Sequence, residues 1–480
     1  MDTGKYYAKE WKSIGNEFFL AYEAFVNHYY YMRYTSIDIS PTSGRIRRGF
    51  LSYGRVVFDS EYTFKNIPRI VNGEKTWDLD GILSNIVKGL CDVGESDYIS
   101  LSAFSYDFVL LDGNGDIVGM PISFQDDRFD SVREVFSQWE LYQKTGQCPI
   151  RYSTFNQLMV MKDESPELFD RAERLLFIPD YLRYRLTGVL SNEFTIASTS
   201  SLLDIGTGDW NFKLLKDVGI PERLFYPLQK PGSVVPLLDD IKKEIGYDAD
   251  FMLVPSDRLS LSLSAAMMDS DTLMIAAGGL STLGVVADEA IISDDSMKAG
   301  FSNFLRADGK VFITKRIPAG RIIRSFRDES ESGLTYNEIE NNARKVSNPD
   351  RFPLDDRFYI AQAVSPVIEE LVGRKMDKDE IAASIYVSIV SCYSDAIEKI
   401  ESLLEREFDE ISICGGIVRD RYLNILLALK SGKIVLSGDD APSFLASLLF
   451  MAETAGEFGD EKRERVLRRS LYLTTYRKTF

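Results

Sequence analysis

Histidine is almost missing from this chain: His28 is the only one, and it sits in an aromatic stretch near the start. A Ser-His-Asp hydrolase is therefore a poor reading and a metal site built on several histidines is excluded, so acid and base work falls to carboxylates. Cysteine is scarce too. Cys91, Cys148, Cys392 and Cys414 stand far apart with no C-x-x-C spacing, which suits reduced, buried thiols better than a disulfide scaffold or a zinc site. Positive charge is in deficit: 56 Lys and Arg against 73 Asp and Glu leave −17, which repels phosphate backbones, so no nucleic-acid partner is expected. Long apolar runs are absent. The richest stretch, Leu259 to Val286, is cut by Asp269 and Asp271 before it reaches the roughly 18 residues of a membrane span. The opening MDTGKYYAKEW lacks the order of a signal peptide, so a cytoplasmic location without a membrane partner is expected.

What is present is a large α/β pattern. The 480 residues are about three times a typical domain of roughly 150. Residues 1 to 33 place Trp11, Ile14, Phe18, Tyr22, Phe25 and Tyr29 at helical spacing, which predicts an apolar helix docked on something. YTSIDIS (34 to 40) reads as a strand, IRRGFLSYGRVVFDSEYTF as a hairpin bending near Gly54, and Leu79 to Val93 as a helix. Residues 98 to 124 alternate on either side of the turn DGNGD. That turn is not an EF-hand, because Ile117 and Ser123 stand where glycine and glutamate are required, and no Walker-type loop occurs anywhere. Mostly helical residues 131 to 230 give way to strand patterns at 251–257, 272–287, 310–317, 410–420 and 433–438. Two strand-turn-strand beginnings, near 35 and 272, predict two similar halves meeting at a cleft, with a linker around 240 to 255. Residues 461 to 480, with seven Lys or Arg against two Glu, read as a solvated basic tail.

Phosphoryl transfer to a hydroxyl needs backbone N–H groups around phosphates, a carboxylate for magnesium and a carboxylate to take the proton. Asp38 ends a strand and precedes the polar turn Pro41, Thr42, Ser43, Gly44, Arg45. Gly278 and Gly279 follow the strand TLMIAA, Gly415 and Gly416 lie between a strand and a helix, and Asp257 ends FMLVPS. Singly, each is equally well a plain turn; their order carries more.

In that order, and in IDISPTSGR (37–45), KTWDLDGI (75–82), SYDFVLLDGNGDIVGMPISFQDDR (105–128), LYQKTGQ (141–147), LLFIPDYLRYRLTG (175–188), NEFTIASTSSLLD, KPGSVV (230–235), LDDRF (354–358) and ISICGGIVRDRYLN (411–424), the chain resembles the FGGY carbohydrate kinases, and among them the rhamnulokinases. The resemblance implies a two-domain, actin-like ATPase (ribonuclease H-like) α/β fold with a central cleft. It implies an N-terminal helical extension at 1–34, an N-terminal domain at 35–250 on the sugar side, a C-terminal domain at 251–455 on the nucleotide side, and a basic tail at 456–480. The implied cofactors are ATP and Mg²⁺, and the implied substrate is a small sugar or polyol; a homodimer is left open. Carried over by position, Asp38 would hold magnesium and, with Thr42, Ser43, Gly44 and Arg45, form the first phosphate loop. Gly278 and Gly279 would form the second, and Gly415 and Gly416 the adenosine site. Ser105, Tyr106, Asp107, Asp126 and Arg128 would face the sugar, although for Asp126 and Arg128 a buried ion pair shaping the loop is an equal reading. Asp257 is preferred as catalytic base, with Arg258 beside it as the alternative occupant of that position.

The departures from the family fall on the chemistry. Where rhamnulokinases read D-L-G-A-S-S-G-R, this chain has Ser40 and Pro41, which adds a Cβ and removes one N–H. Ala277, Gly278 and Gly279 replace S-G-T, and Ser102, Ala103, Phe104 and Ser105 replace D-T-W-G. A rebuilt pocket that does not take L-rhamnulose is expected, and a catalytically impaired nucleotide or sugar sensor, or an assembly partner, is the alternative to an active kinase. The usual closing helix that packs back on the first domain is expected to be absent, its surface filled by residues 1 to 33.

Overall fold

The computed structural model describes residues 31–130, 133–266, 272–329, 333–361 and 363–478. The helix expected over residues 1–33 therefore lies, apart from its last three residues, outside the described residues.

YTSIDI forms β1 (Tyr34–Ile39), buried at every position as a strand covered on both faces must be. It pairs antiparallel with β2 (Ser43–Ser52), which turns through Tyr53 and Gly54 into β3 (Arg55–Lys65). Both turn residues have positive φ, 48° and 66°, the backbone that a two-residue hairpin requires. On its other side β1 runs parallel to β4 (Tyr98–Ala103), delivered by helix α1 (Leu79–Val93). β5 (Val234–Pro236) and β6 (Asp250–Met252) complete a sheet of order β5-β6-β4-β1-β2-β3.

A second sheet repeats the plan. β7 (Leu273–Ala277) and β8 (Ser281–Ala287) form a hairpin; β9 (Phe301–Leu305) and β10 (Val311–Ile317) extend the antiparallel side. β11 (Glu410–Gly415) and β12 (Ile434–Ser437) add parallel strands beyond β7, and β13 (Thr474–Tyr476) closes that edge antiparallel. The order is β9-β10-β8-β7-β11-β12-β13. Two sheets of like topology, each with helices on its faces, make the two-domain actin-like α/β fold.

Two helices lie between the sheets. α2 (Arg258–Ala266) packs on β7 and β11, while α6 (Pro442–Thr454) packs on β1, β2 and β4, and the two helices pack on each other. Serines face this layer: Ser447 of α6 meets Ser100 of β4 at 2.7 Å. On the second sheet, α3 (Ala319–Asp328) follows β10, and the 27-residue α4 (Lys378–Leu404) is started by an Asp377/Glu380 capping box. α5 (Arg421–Ser431) connects β11 to β12. Among the described residues no helix is long and apolar enough to cross a membrane. All four cysteines are free, but only Cys414 is buried as expected; Cys148 and Cys392 are half-buried and Cys91 is exposed.

Two expectations about connections are corrected. Residues 240–255 are not a linker, because they hold most of a helix (Asp239–Ile245) and β6, which hydrogen-bonds to β4 of the first sheet. Nor is the basic end a solvated tail. α7 (Arg463–Ser470) buries Val466 and Leu467 among Tyr34, Leu51 and the α6 leucines, and Ser470 Oγ accepts from the Val56 N–H of β3 at 2.9 Å. Burying two such side chains is worth about 2 kcal/mol each, enough to outweigh the solvation preference of a few arginines that keep their heads in water. A closing helix thus does pack back on the first sheet, and the chain continues into β13 of the second.

Candidate active site

Asp257 is the last residue before α2 and is fully buried. Its position is set from three sides. Ala103 N–H donates to the Ser256 carbonyl, so the strand direction of β4 carries on beside it. The Glu193 carboxylate accepts from the Ser256 N–H at 3.1 Å, and Thr195 Oγ1 lies 3.4 Å from the Asp257 nitrogen. The Asp257 carboxylate then caps α2, accepting from the N–H and Oγ of Ser260 at 2.8 Å each, and takes a further hydrogen bond from Ser105 Oγ at 2.6 Å. Burial raises its pKa, against the pull of those hydrogen bonds. Ser105 therefore lies directly over the acid.

Arg258, the next residue, points the other way. Its Nε donates to both oxygens of Asp38, at 2.7 and 3.0 Å, and Ser443 at the start of α6 donates to Asp38 Oδ2 at 2.5 Å. Asp38 is buried while the arginine is still 41% exposed, so Arg258 covers the carboxylate from the solvent side. Asp38 and Asp257 are thus joined through one residue. Of the two candidates for the base position, Asp257 is the carboxylate and Arg258 serves as the partner of Asp38.

The turn after Asp38 is closed on itself. Ser40 Oγ accepts from the N–H groups of Ser43 at 3.0 Å and Thr42 at 3.3 Å, and donates to the Ser43 carbonyl at 2.9 Å. Pro41 has no N–H to offer, so the donors that would cradle a phosphate are engaged internally. Asn66 fastens the same turn by donating to the Ser40 carbonyl at 2.7 Å. Gly44 has a packing role: a Cβ there would lie 2.0 Å from the Phe64 ring across the strand pair. Arg45 is exposed on β2, opposite Asp38 in register.

The turn between β7 and β8 differs. Gly278 is exposed, and a Cβ on Gly279 would meet nothing within 4 Å. From behind it is buttressed by α3, whose Arg321 N–H donates to the Gly279 carbonyl at 2.7 Å and whose Gly320 lies so close that a Cβ would fall 2.1 Å from the Gly278 oxygen. Gly415, at φ 86°, leaves no room for a side chain because Ala277 O would be 2.2 Å from its Cβ; Gly416 is exposed beside it. The two glycine pairs therefore sit on adjacent parallel strands, β7 and β11, at the same end.

Of the expected sugar-side residues, Ser105 and Tyr106 border the cleft while Asp107 is committed to the core. Asp107 accepts from Trp77 Nε1 at 2.6 Å, Gln157 Nε2 at 2.8 Å and the Phe124 N–H at 3.0 Å; burial pushes its pKa up to about 7 against these bonds. Asp126 and Arg128 form the loop-shaping ion pair rather than an open pair of sugar ligands. Asp126 takes the Lys75 N–H at 2.6 Å and Arg128 Nε at 3.0 Å, and Arg128 also reaches Glu74 and Glu164. Tyr106 holds φ at 82°, rare for a side-chain-bearing residue, and its hydroxyl accepts from Arg316 Nη1 of β10 at 3.0 Å across the cleft.

Glu193, Thr195, Ser443 and Arg316 are the site residues that sequence reasoning passed over. Glu193 and Thr195 lie in NEFTIAS, where the Glu193 carboxylate caps the short helix Phe194–Ser198 by accepting from the N–H groups of Thr195 and Ile196, although glutamate is not among the usual N-cap residues. Nothing local marks the other two. Among the described residues no cluster of three or more acidic, histidine or cysteine ligands is present, and Asp38, the residue expected to hold magnesium, is occupied by Arg258. One carboxylate is compatible with magnesium where phosphates supply further ligands.

Residues 66–254 match the FGGY family of carbohydrate kinases, N-terminal domain. The chain is 29% identical over 462 residues to the rhamnulokinase of Bacillus subtilis (strain 168), covering 92% of this chain and 94% of that one. It is 28% identical over 461 residues to the rhamnulokinase of Oceanobacillus iheyensis, covering 92% and 98%. Among solved structures it superposes on gluconate kinase from Lactobacillus acidophilus with a TM-score of 0.77 at 17% identity, covering 94% of each chain. Plasmodium falciparum glycerol kinase with ADP gives 0.75 at 15% identity, covering 93% of this chain and 94% of that one.

Proposed function

We infer that the chain is a carbohydrate kinase of the FGGY family and that it transfers the γ-phosphoryl group of ATP to a hydroxyl of a small sugar or polyol other than L-rhamnulose, with Asp257 as base. The observation that supports this reading is the continuity of the two acids: Asp257 is followed by Arg258, which reaches Asp38 at 2.7 Å, so the carboxylate read as base and the one read as magnesium ligand lie one residue's reach apart. In the transfer the acceptor oxygen bonds to the γ-phosphorus, the bond to the β–γ bridging oxygen breaks, ADP leaves with that electron pair, and the hydroxyl proton passes to Asp257. Burial makes Asp257 a stronger base than a solvated aspartate. Ser105 holds the carboxylate in the meantime and gives way to the acceptor hydroxyl. Bound magnesium would neutralise phosphate charge beside Asp38. The open glycine turn at Gly278 and Gly279 and the Gly415–Gly416 pair are read as the nucleotide side, and the two sheet units as bodies that close over both substrates to exclude water.

A specific observation favours a second reading, a catalytically impaired relative: the first turn's donors are spent on Ser40, and Asp38 is already neutralised by Arg258. Measuring sugar-dependent ADP release over ketoses, alditols and aldoses separates the two. An active kinase loses at least about 10²-fold of its turnover in Asp257→Asn. ATP binding with no sugar-dependent release, or an Asp257→Asn variant as fast as the parent, overturns the kinase reading.

A further inference from the structure

This chain has acid to spare, and its part-buried arginines are generally paired with it. Arg128 meets Asp126, Glu74 and Glu164; Arg183 meets Asp180; Arg306 meets Asp308; Arg258 meets Asp38. Arg316 and Arg321 break the pattern, as Arg174, bonded to the Tyr226 hydroxyl, does elsewhere, and the exposed Arg324 beside them is unpaired too. No carboxylate pairs with any of them among the described residues. Arg316, near the end of β10, is half-buried, and among the described residues the only side-chain acceptor for its five N–H donors is the hydroxyl of Tyr106, whose ring centroid is 5.9 Å away. Arg321, in the first turn of α3, is half-buried, with its Nε sealed from solvent and without a hydrogen-bond partner. Arg324 follows at i+3 on the same helix and is exposed. Burial and the like charge of Arg324 depress the pKa of Arg321, as happens when nothing negative compensates a desolvated cation.

The place of these groups indicates what is missing. Tyr106 adjoins Ser105, which touches the Asp257 carboxylate at 2.6 Å, and Tyr152 packs edge-on against Tyr106 at 5.5 Å. Arg321 is tied by its backbone to the Gly278–Gly279 turn. Arg316 and Arg321 therefore stand on the second-sheet side, Arg316 against Tyr106 and Arg321 within electrostatic reach of Tyr152, the aromatic pair that adjoins the base. Desolvating a cation without a counterion is costly, and planar guanidinium forks match carboxylate or phosphate oxygens two at a time.

We propose that the acceptor is itself an anion, a sugar acid or sugar phosphate whose carboxylate or phosphate monoester pairs with Arg316 and Arg321 while a hydroxyl of the same molecule faces Asp257. This rests on the kinase reading for the role of Asp257 but not for the binding. A neutral ketose leaves both arginines as they are, whereas an anionic sugar supplies the counterion the fold withholds.

Titration calorimetry on the full chain with gluconate, fructose 6-phosphate, sorbitol and inorganic phosphate, with and without ADP, tests it. Gluconate or fructose 6-phosphate is expected to bind at least tenfold more tightly than sorbitol and to weaken as salt rises; whichever of the two binds distinguishes carboxylate from phosphate. Arg321→Gln is expected to weaken that ligand at least tenfold and to leave ADP binding unchanged, with melting temperature confirming that the variant folds; Arg316→Lys, which keeps the charge but loses the fork, is expected to weaken it less. Sorbitol binding as tightly as the anions, no binding by either anion, inorganic phosphate matching them, or Arg321→Gln weakening ADP instead overturns the proposal. The two readings fail separately: anion binding without ADP release defeats only the kinase, and turnover of a neutral sugar defeats only the anionic acceptor.

Discussion

The hairpin turns that open the two sheets occupy matching places and are finished differently. Between β1 and β2, Ser40 folds its own hydroxyl into the turn and takes the N–H groups of Thr42 and Ser43, with Arg258 over the neighbouring Asp38. Between β7 and β8, Gly278 and Gly279 carry no side chain, and α3 supports them from behind. Like topology therefore does not guarantee like chemistry. Whether a turn offers donors to a ligand depends on one side chain that can satisfy them first.

The largest expected effect comes from removing the support of the open turn. Gly320→Ala places a Cβ 2.1 Å from the Gly278 oxygen, so helix or turn must move. A loss of about 2 kcal/mol or more is expected, read as a drop of several degrees in melting temperature together with weakened nucleotide binding. An unchanged protein would show that the two backbones are not held together. Next in size is Arg258→Thr, which frees Oδ1 of Asp38 and leaves Oδ2 with Ser443 alone. Magnesium-dependent ATP binding is expected to strengthen about tenfold, near 1.4 kcal/mol, making the first side resemble the second. Weaker binding instead would mean that Arg258 itself grips the triphosphate. The smallest is Ser40→Gly, which releases two N–H groups: a severalfold gain in ATP affinity is expected, and none at all would indicate that Pro41 already holds the turn shut.

Most of the fold was legible in the sequence because it rests on local signals. The bend at Tyr53–Gly54, the helix Leu79–Val93 and the DGNGD turn all follow from short-range periodicity and turn residues. In that turn Asp112 Oδ1 takes the N–H groups of Asn114 at 2.8 Å and Asp116 at 3.1 Å. Asp38 and the glycine pairs could likewise be placed at strand ends from the pattern, whereas Asp257, expected to end a strand over 251–257, lies past the short strand Asp250–Met252, in an isolated bridge with Ala103 at the start of α2. Their chemistry could not. Arg258 and Asp38 are 220 residues apart, Ser443 and Asp38 are 405 apart, and no spacing rule joins them. Ser40 was legible as a lost glycine, but not as a hydroxyl turned back on its own turn. Net charge misled at the end of the chain, where Val466 and Leu467 decide the placement of α7 while its arginines keep to the surface.

That last segment has a mechanical consequence. α7 is fastened to β3 of one sheet, and within a few residues β13 is zipped to the outer edge of the other. The chain end is therefore a strap drawn across both bodies on one side, like the binding of a book. We expect the bodies to swing between that bound edge and the opposite one, where the Asn303 N–H of β9 donates to the Gly146 carbonyl at 2.8 Å and the Leu305 N–H to Ser198 Oγ at 2.6 Å. Cutting the strap after Tyr472 should widen the swing before it unfolds either body.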